Sequence, residues 1–144
     1  MTAPSPLDRL LAIEQLRDLQ ARLCRLASAR DWPAVEELFL PDGRFRAFGA
    51  DGALTCFADG PGIGQAIDRA LGAGTLIVRA FGEEFDVLSD SRAEARSSVE
   101  DLLFVGDRER VLHGFGWLSV AYRRDGGHWR IRSAEFTRIA REQR

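Results

Sequence analysis

The sequence has no lysine and no asparagine, and all 20 of its basic residues are arginine. A Schiff-base mechanism and a lysine general base are therefore excluded. Tyr122 is the one phenolic acid available, and His113 and His128 are the sole imidazoles. Acid–base chemistry must come from these, from Asp or Glu, or from a thiol. Cysteine is scarce: Cys24 and Cys56 stand far apart without metal-ligand spacing, and both are expected as free, largely buried thiols. A strong excess of either charge is also lacking. The formal net charge of −2 gives no reason to expect nucleic acid or an acidic membrane as a partner. No apolar run reaches membrane-spanning length, and the N-terminal MTAPSPLDR has no signal-type core, so the expected compartment is the cytoplasm.

What is present fits a single domain over residues 1–144 with one core. Residues 1–6 read as a loose tail. Leu16, Leu19, Leu23 and Leu26 repeat at three and four residues and predict a long helix over about Leu7 to Ala29. Asp31 can cap a second helix with Pro33 in its first turn and Val35, Leu38 and Phe39 on its apolar face. Pro41 is expected to stop that helix, Asp42-Gly43 to turn the chain, and Arg44–Phe48 to form a strand, joined through Asp51-Gly52 to a second strand over Ala53–Phe57. Gly60-Pro61-Gly62-Ile63-Gly64 opens a third helix that ends at Gly72 and Gly74. A glycine-rich helix start invites a phosphate-loop reading. Without a lysine or a preceding parallel-type strand, turn plus cap is the better one.

From Thr75 the chain turns to strands: Thr75–Phe81 and Phe85–Leu88 with a break at Gly82-Glu83-Glu84, then Arg92–Val105, Arg110–Arg123 and Trp129–Ile139, with residues 140–144 as a charged tail. Turns fall at Ser89-Asp90-Ser91, Gly106-Asp107 and Asp125-Gly126-Gly127. Hairpins in series predict a mainly antiparallel sheet, and helices first with long strands last is an α+β order.

Three stretches carry a resemblance over about residues 8–139. RLASARDWPAVEELFLPDGRF is similar to a helix, Asp-Trp, helix, Phe-x-x-Asp-x-x-Phe passage; GIGQAIDRAL to a glycine-led third helix; YRRDGGHWRIRSAEFTRI to a terminal hairpin whose last strand opens on a Gly-Trp-like pair. In this order they resemble the SnoaL-like family of the nuclear transport factor 2-like superfamily. The resemblance implies an α+β cone, in which three N-terminal helices pack on a strongly bent sheet enclosing an apolar pocket. It also implies a range of activities. Polyketide cyclases, scytalone dehydratase-like lyases, dehydrochlorinases, ketosteroid isomerase and epoxide hydrolases share this fold, alongside non-catalytic members and small subunits of larger enzymes, so fold does not settle function.

Many catalytic members of that family carry an Asp three residues before the Asp-Trp pair, a Tyr five residues before that Asp, and a His in the strand after the third helix. Here the first two positions hold Ser28 and Leu23, and the strand reads Thr75-Leu76-Ile77-Val78-Arg79. Ser28 can hydrogen-bond but cannot replace a carboxylate as base. The search for chemistry therefore moves to the long strands. Glu135 shares a face with Trp129, Ile131 and Ser133 by strict alternation, and in apolar surroundings could serve as general acid or base. Of Glu100 and Asp101, neighbours in one strand, one must face inward. His113 is the candidate imidazole base, with His128 in a solvated turn. Asp31 is better explained as a cap. Trp32, Ser28, Leu23, Phe45, Trp117 and Tyr122 are candidates for the wall around a planar, largely apolar ligand.

Both faces of the last two long strands carry large apolar groups: Phe115 and Trp117 on one, Leu118, Val120, Tyr122, Trp129 and Ile131 on the other. Which face is inner depends on hairpin register. The other face needs a cover, and a homodimer through the outer sheet face is expected. The leading expectation is a small enzyme without metal or nucleotide cofactor. It would perform cyclase-, isomerase- or dehydratase-type proton transfer on a hydrophobic, oxygenated small molecule. The alternative is a ligand-binding or accessory domain without the family's Asp–His dyad.

Overall fold

The computed structural model describes residues 3–107 and 109–144. Its elements are α1 (Pro6–Ser28), α2 (Trp32–Glu37), β1 (Phe39–Phe48), β2 (Leu54–Asp59), a 3-10 turn (Gly60–Gly62), α3 (Ile63–Leu71), β3 (Thr75–Val87), β4 (Arg92–Val105), β5 (Arg110–Asp125) and β6 (His128–Gln143). The first helix and the last strand both reach further than the sequence suggests, and residues 1 and 2 of the expected tail lie outside the described residues. Ser5 caps α1, its Oγ accepting the Asp8 N–H at 3.1 Å, and Pro6 takes the first helical position, where no N–H is needed. At the other end β6 absorbs the expected tail: Gln143 pairs with Leu112, and Arg144 exchanges two backbone hydrogen bonds with Val111.

The second helix ends at Glu37, not at Pro41, and Phe39 already belongs to β1. Pro41-Asp42-Gly43 instead lies in an irregular stretch of β1, between Phe39 opposite Ile131 and Arg44 opposite Ser133. Proline is tolerated there because the interrupted ladder asks for no N–H donor. Gly82-Glu83-Glu84 likewise does not divide two strands; it is a bulge within β3.

The six strands form one curved, unclosed sheet in the order β2-β1-β6-β5-β4-β3. All neighbours are antiparallel except β1 and β6, which run parallel and join the early hairpin to the late meander. The helices cover the concave face, with α1 along β3 and α3 against β2. Leu16 and Leu19 of α1, Val35 of α2 and Ile63 of α3 meet Ala93, Ala95, Val99, Leu118, Val120 and Ile131 of the sheet to form the core. Ala93, Ala95 and Ser97 are buried on the inner face of β4. There Gln20 Nε2 donates to Ser97 Oγ at 2.8 Å, and the Tyr122 hydroxyl donates to Gln20 Oε1 at 3.2 Å.

Two one-residue slips in β6 set which side chains face inward. Ile131 lies opposite Tyr122 while Ser133 lies opposite Ala121, so Arg132 is an extra residue; Arg138 lies opposite Gly116 while Ala140 lies opposite Phe115, so Ile139 is another. Each bulge reverses the alternation.

Candidate functional site

Between the helices and the sheet lies a cavity of about 460 Å³, lined mainly by apolar side chains. Leu23, Cys24 and Ala27 come from α1, Trp32 and Val35 from α2, Ile67 and Leu71 from α3, and Phe45, Val78, Val99, Leu118 and Phe136 from the strands. Val35, Val99 and Leu118 are buried and form its floor; Arg141, Thr55 and Ala70 are exposed and mark its rim. Burial pushes the Cys24 thiol up from its ordinary value, consistent with a water-poor wall.

The corner between α1 and α3 positions the aromatic part of this wall. Asp68 of α3 accepts from Trp32 Nε1 at 2.8 Å and from Arg30 Nη1 at 2.8 Å, while Arg30 Nη2 donates to the Gly72 carbonyl at 2.6 Å. Arg30 holds a positive φ of 55° at the hinge, a conformation that these contacts pin. Glu36 accepts the Gly64 N–H at 2.9 Å and so supplies the cap that Gly62 lacks.

Three charged side chains enter the apolar cavity. Asp101 is 5% exposed. Arg138 clamps it with two hydrogen bonds, Nη1 to Oδ1 at 2.6 Å and Nη2 to Oδ2 at 3.3 Å. Arg138 also lies 4.9 Å from the centre of the Phe136 ring. Arg141 is the third. Burial, and then the Arg138 charge, push its guanidinium below its ordinary value, partly offset by Asp101. Strict alternation would put residues three apart on opposite faces; the Ile139 bulge turns both arginines inward. The strand opposite makes the room. A Cβ on Gly114 would collide with Arg138 Nη1 and come within 2.6 Å of Asp101 Oδ1, and one on Gly116 would collide with the Phe136 ring. The ion pair thus lies on a glycine floor.

Of the residues expected at the site, Asp101, Leu23, Trp32 and Phe45 line the cavity. Glu135 does not. The Arg132 bulge turns it to the exposed outer face and turns Ala134 and Phe136 inward instead. His113 also points outward. Its Nε2 lies 2.9 Å from Glu100 Oε2, its Nδ1 2.7 Å from Arg144 Nη2, and its ring 4.6 Å from that of Phe115. Glu100 and Asp101 therefore divide as expected, Asp101 inward. Trp117 is 54% exposed on the outer face. Tyr122 is inward but belongs to the core, engaged by Gln20, rather than to the cavity wall. Ser28 is occupied with structure: its Oγ accepts the Val78 N–H at 2.9 Å, on the open side of edge strand β3. His128 is exposed, so neither histidine reaches the cavity. The charged groups of the cavity that sequence reasoning missed are Arg138 and Arg141; they are two of four arginines in a strand that also carries Glu135 and Glu142, so nothing in the sequence singled them out.

Among the described residues no group of three or more His, Cys, Asp or Glu side chains gathers to hold a metal, and no helix is long and apolar enough to cross a membrane. Two other depressions carry more charge, one with Asp18, Arg22, Glu37 and Arg130 in its lining, the other, on the outer face, with Glu84, Asp86, Glu94, Arg96 and Glu135.

A family described as the SnoaL-like domain matches residues 8–135. Among solved structures, a hexachlorocyclohexane dehydrochlorinase LinA-type3 from Novosphingobium barchaimii LL02 superposes with a TM-score of 0.81 at 14% identity, over 97% of this chain and 94% of that one. A candidate beta subunit of an aromatic-ring-hydroxylating dioxygenase from Novosphingobium aromaticivorans gives a TM-score of 0.77 at 14% identity, over 92% of each chain. A nuclear transport factor 2-like protein with a cystatin-like fold, also from Novosphingobium aromaticivorans, gives 0.65 at 27% identity, over 91% of this chain and 84% of that one. No curated protein matches the chain.

Proposed function

Because the chain belongs to the SnoaL-like family of the nuclear transport factor 2-like superfamily, we propose that its cavity is the active site of a small-molecule enzyme that moves a proton on a hydrophobic, oxygenated substrate. One observation carries this reading: a carboxylate, Asp101, stands in an apolar cavity with two arginines beside it. A buried ion pair is a poor source of stability, since desolvation offsets most of the attraction. It is a good catalytic arrangement. Asp101 takes a proton from carbon or oxygen of the substrate, Arg138 orients the carboxylate, and the arginine donors hold the negative charge left on the substrate oxygen. Isomerisation, dehydration and cyclisation can all begin with that step. The mechanism differs from one built on an Asp–His pair, because Ser28 and Val78 bind each other and no imidazole faces the cavity.

The test is exchange of the α-protons of enolisable aromatic ketones, such as 2-tetralone, in heavy water, followed by NMR. The wild-type chain should accelerate exchange above buffer. Asp101→Asn keeps the shape and an acceptor for Arg138 but takes no proton, and should lose roughly 100-fold or more. Glu135→Gln and His113→Ala, on the outer face, should retain the wild-type rate. An exchange rate untouched by Asp101→Asn would remove Asp101 as the base.

A second reading, a ligand-binding or accessory domain, is favoured by the structural use of Ser28 and by the outward-facing histidines. On that reading the cavity binds a ligand while the wild type and all three variants exchange at the buffer rate.

A further inference from the structure

We propose that the molecule this cavity accepts is a small apolar monocarboxylate, with its ring body inside and its carboxylate on Arg141 and Arg138 at the rim. This rests on the reading of the cavity as a ligand site and adds the charge of the ligand to it.

The inference comes from a count of charge. Asp101, Arg138 and Arg141 are the charged side chains in the wall. The carboxylate is fully engaged by Arg138, both oxygens accepting from it. Arg141 makes no side-chain hydrogen bond or ion pair among the described residues, so one positive charge is left over. Arg141 sits at the exposed rim, where water still screens its charge, beside a second guanidinium that repels it and Asp101, which offsets part of that repulsion. A neutral ligand that displaced water from the rim would worsen this; a ligand with one negative charge would cancel it.

Position selects the rest of the molecule. The exposed rim residue is Arg141, the half-buried one Arg138, and the deepest charged group Asp101. Beyond them the wall is Leu23, Trp32, Phe45, Val99 and Leu118. An amphiphile therefore enters ring first and leaves its charge near water, where desolvation is least costly. One surplus charge suits a carboxylate; a phosphate monoester carries about 1.5 to 2 negative charges at neutral pH and would exceed it. The volume is that of ordinary small-molecule sites, about 300–1,000 Å³. The chain built this arrangement at some expense to strand regularity, since the Ile139 bulge brings Arg141 inward and Gly114 leaves space for its partner pair.

Isothermal titration calorimetry with 2-naphthoate and the isosteric neutral 2-naphthalenemethanol tests it at low and physiological salt. The acid should bind wild-type protein about tenfold or more tighter than the alcohol, with a preference that weakens as salt rises. Arg141→Gln should bring the acid's affinity down to that of the alcohol and leave the alcohol's unchanged, while Arg141→Lys keeps part of the preference. Equal binding of acid and alcohol to the wild type, or a preference that survives Arg141→Gln, overturns the proposal while leaving the Asp101 reading to its own exchange assay. Binding of neither compound also overturns it.

Discussion

Tyr122 shows how one residue can be right in identity and wrong in role. As the sole phenol it was a natural candidate for acid–base work, yet its hydroxyl is spent on Gln20, which in turn holds Ser97. Burial, with smaller contributions from Cys24 and Glu83, pushes its pKa above the ordinary 10.0. The folded chain therefore binds that proton more tightly than the unfolded chain. The corresponding stability is fully present below pH 10 and is lost as pH rises through the folded value. Cys24, raised from 9.0, adds to the loss in the same direction from a somewhat lower pH. In urea titrations across pH, wild-type stability should fall above about pH 9 to 10. Tyr122→Phe should cost about 1–3 kcal/mol at neutral pH, because Gln20 Oε1 loses its donor inside the core, and should flatten the alkaline fall to the part left by the two thiols, Cys24 and the more exposed Cys56, which burial also pushes up. An unchanged alkaline slope in Tyr122→Phe would show that the phenol stays wet.

At the scale of elements, the fold was legible wherever the signal was local. Asp31 caps α2, Gly72 ends α3, and the turns at Asp51-Gly52, Gly106-Asp107 and Asp125-Gly126-Gly127 divide the strands as the sequence indicates. Leu16 and Leu19 are buried as their spacing requires. The long β4, poor in β-branched residues, is still a strand, because neighbours on both sides fix it. What the sequence could not reveal was the position of two extra residues in β6. A bulge is set by how a strand must bend against its partners, and neither Arg132 nor Ile139 is a residue type that marks one. That single unreadable feature explains both main differences at the site: Glu135 is outside, and Arg138 and Arg141 are inside together. The floor under the ion pair supplies the matching prediction. Gly114→Ala places a Cβ where Arg138 Nη1 and Asp101 Oδ1 now lie. It should destabilise the chain by about 1–3 kcal/mol in urea unfolding and displace the Asp101–Arg138 pair. Wild-type stability together with wild-type ligand binding in this variant would mean that the pair is free to move, contrary to the tight packing described above.

The whole molecule has a second face that its own helices leave bare. Strand pairing sets Phe81, Ser98, Trp117 and Thr137 in one row across β3 to β6, with Phe115 and Ile139 beside it. Phe81 is 52%, Trp117 54% and Ile139 46% exposed, all on the convex side. The chain spends its concave side on the core and cavity, so its apolar aromatics on the convex side serve neither. The His113–Glu100 pair nearby, packed against Phe115, stiffens the same surface. A second copy of the chain is the partner that such a face would meet most often at high concentration, and a stable contact needs about 800 Å² from each partner, well within the area of a six-stranded sheet. Size-exclusion chromatography with light scattering at micromolar concentration should give the mass of a dimer, twice 16.0 kDa. Trp117→Arg puts a charge at the middle of the contact and should return the monomer mass, with the cavity's ligand binding intact because Trp117 lies on the other side of the sheet. A clean monomer in the wild type would remove the dimer and leave the aromatic row without a partner of its own kind; a dimer unaffected by Trp117→Arg would place the contact elsewhere on the chain.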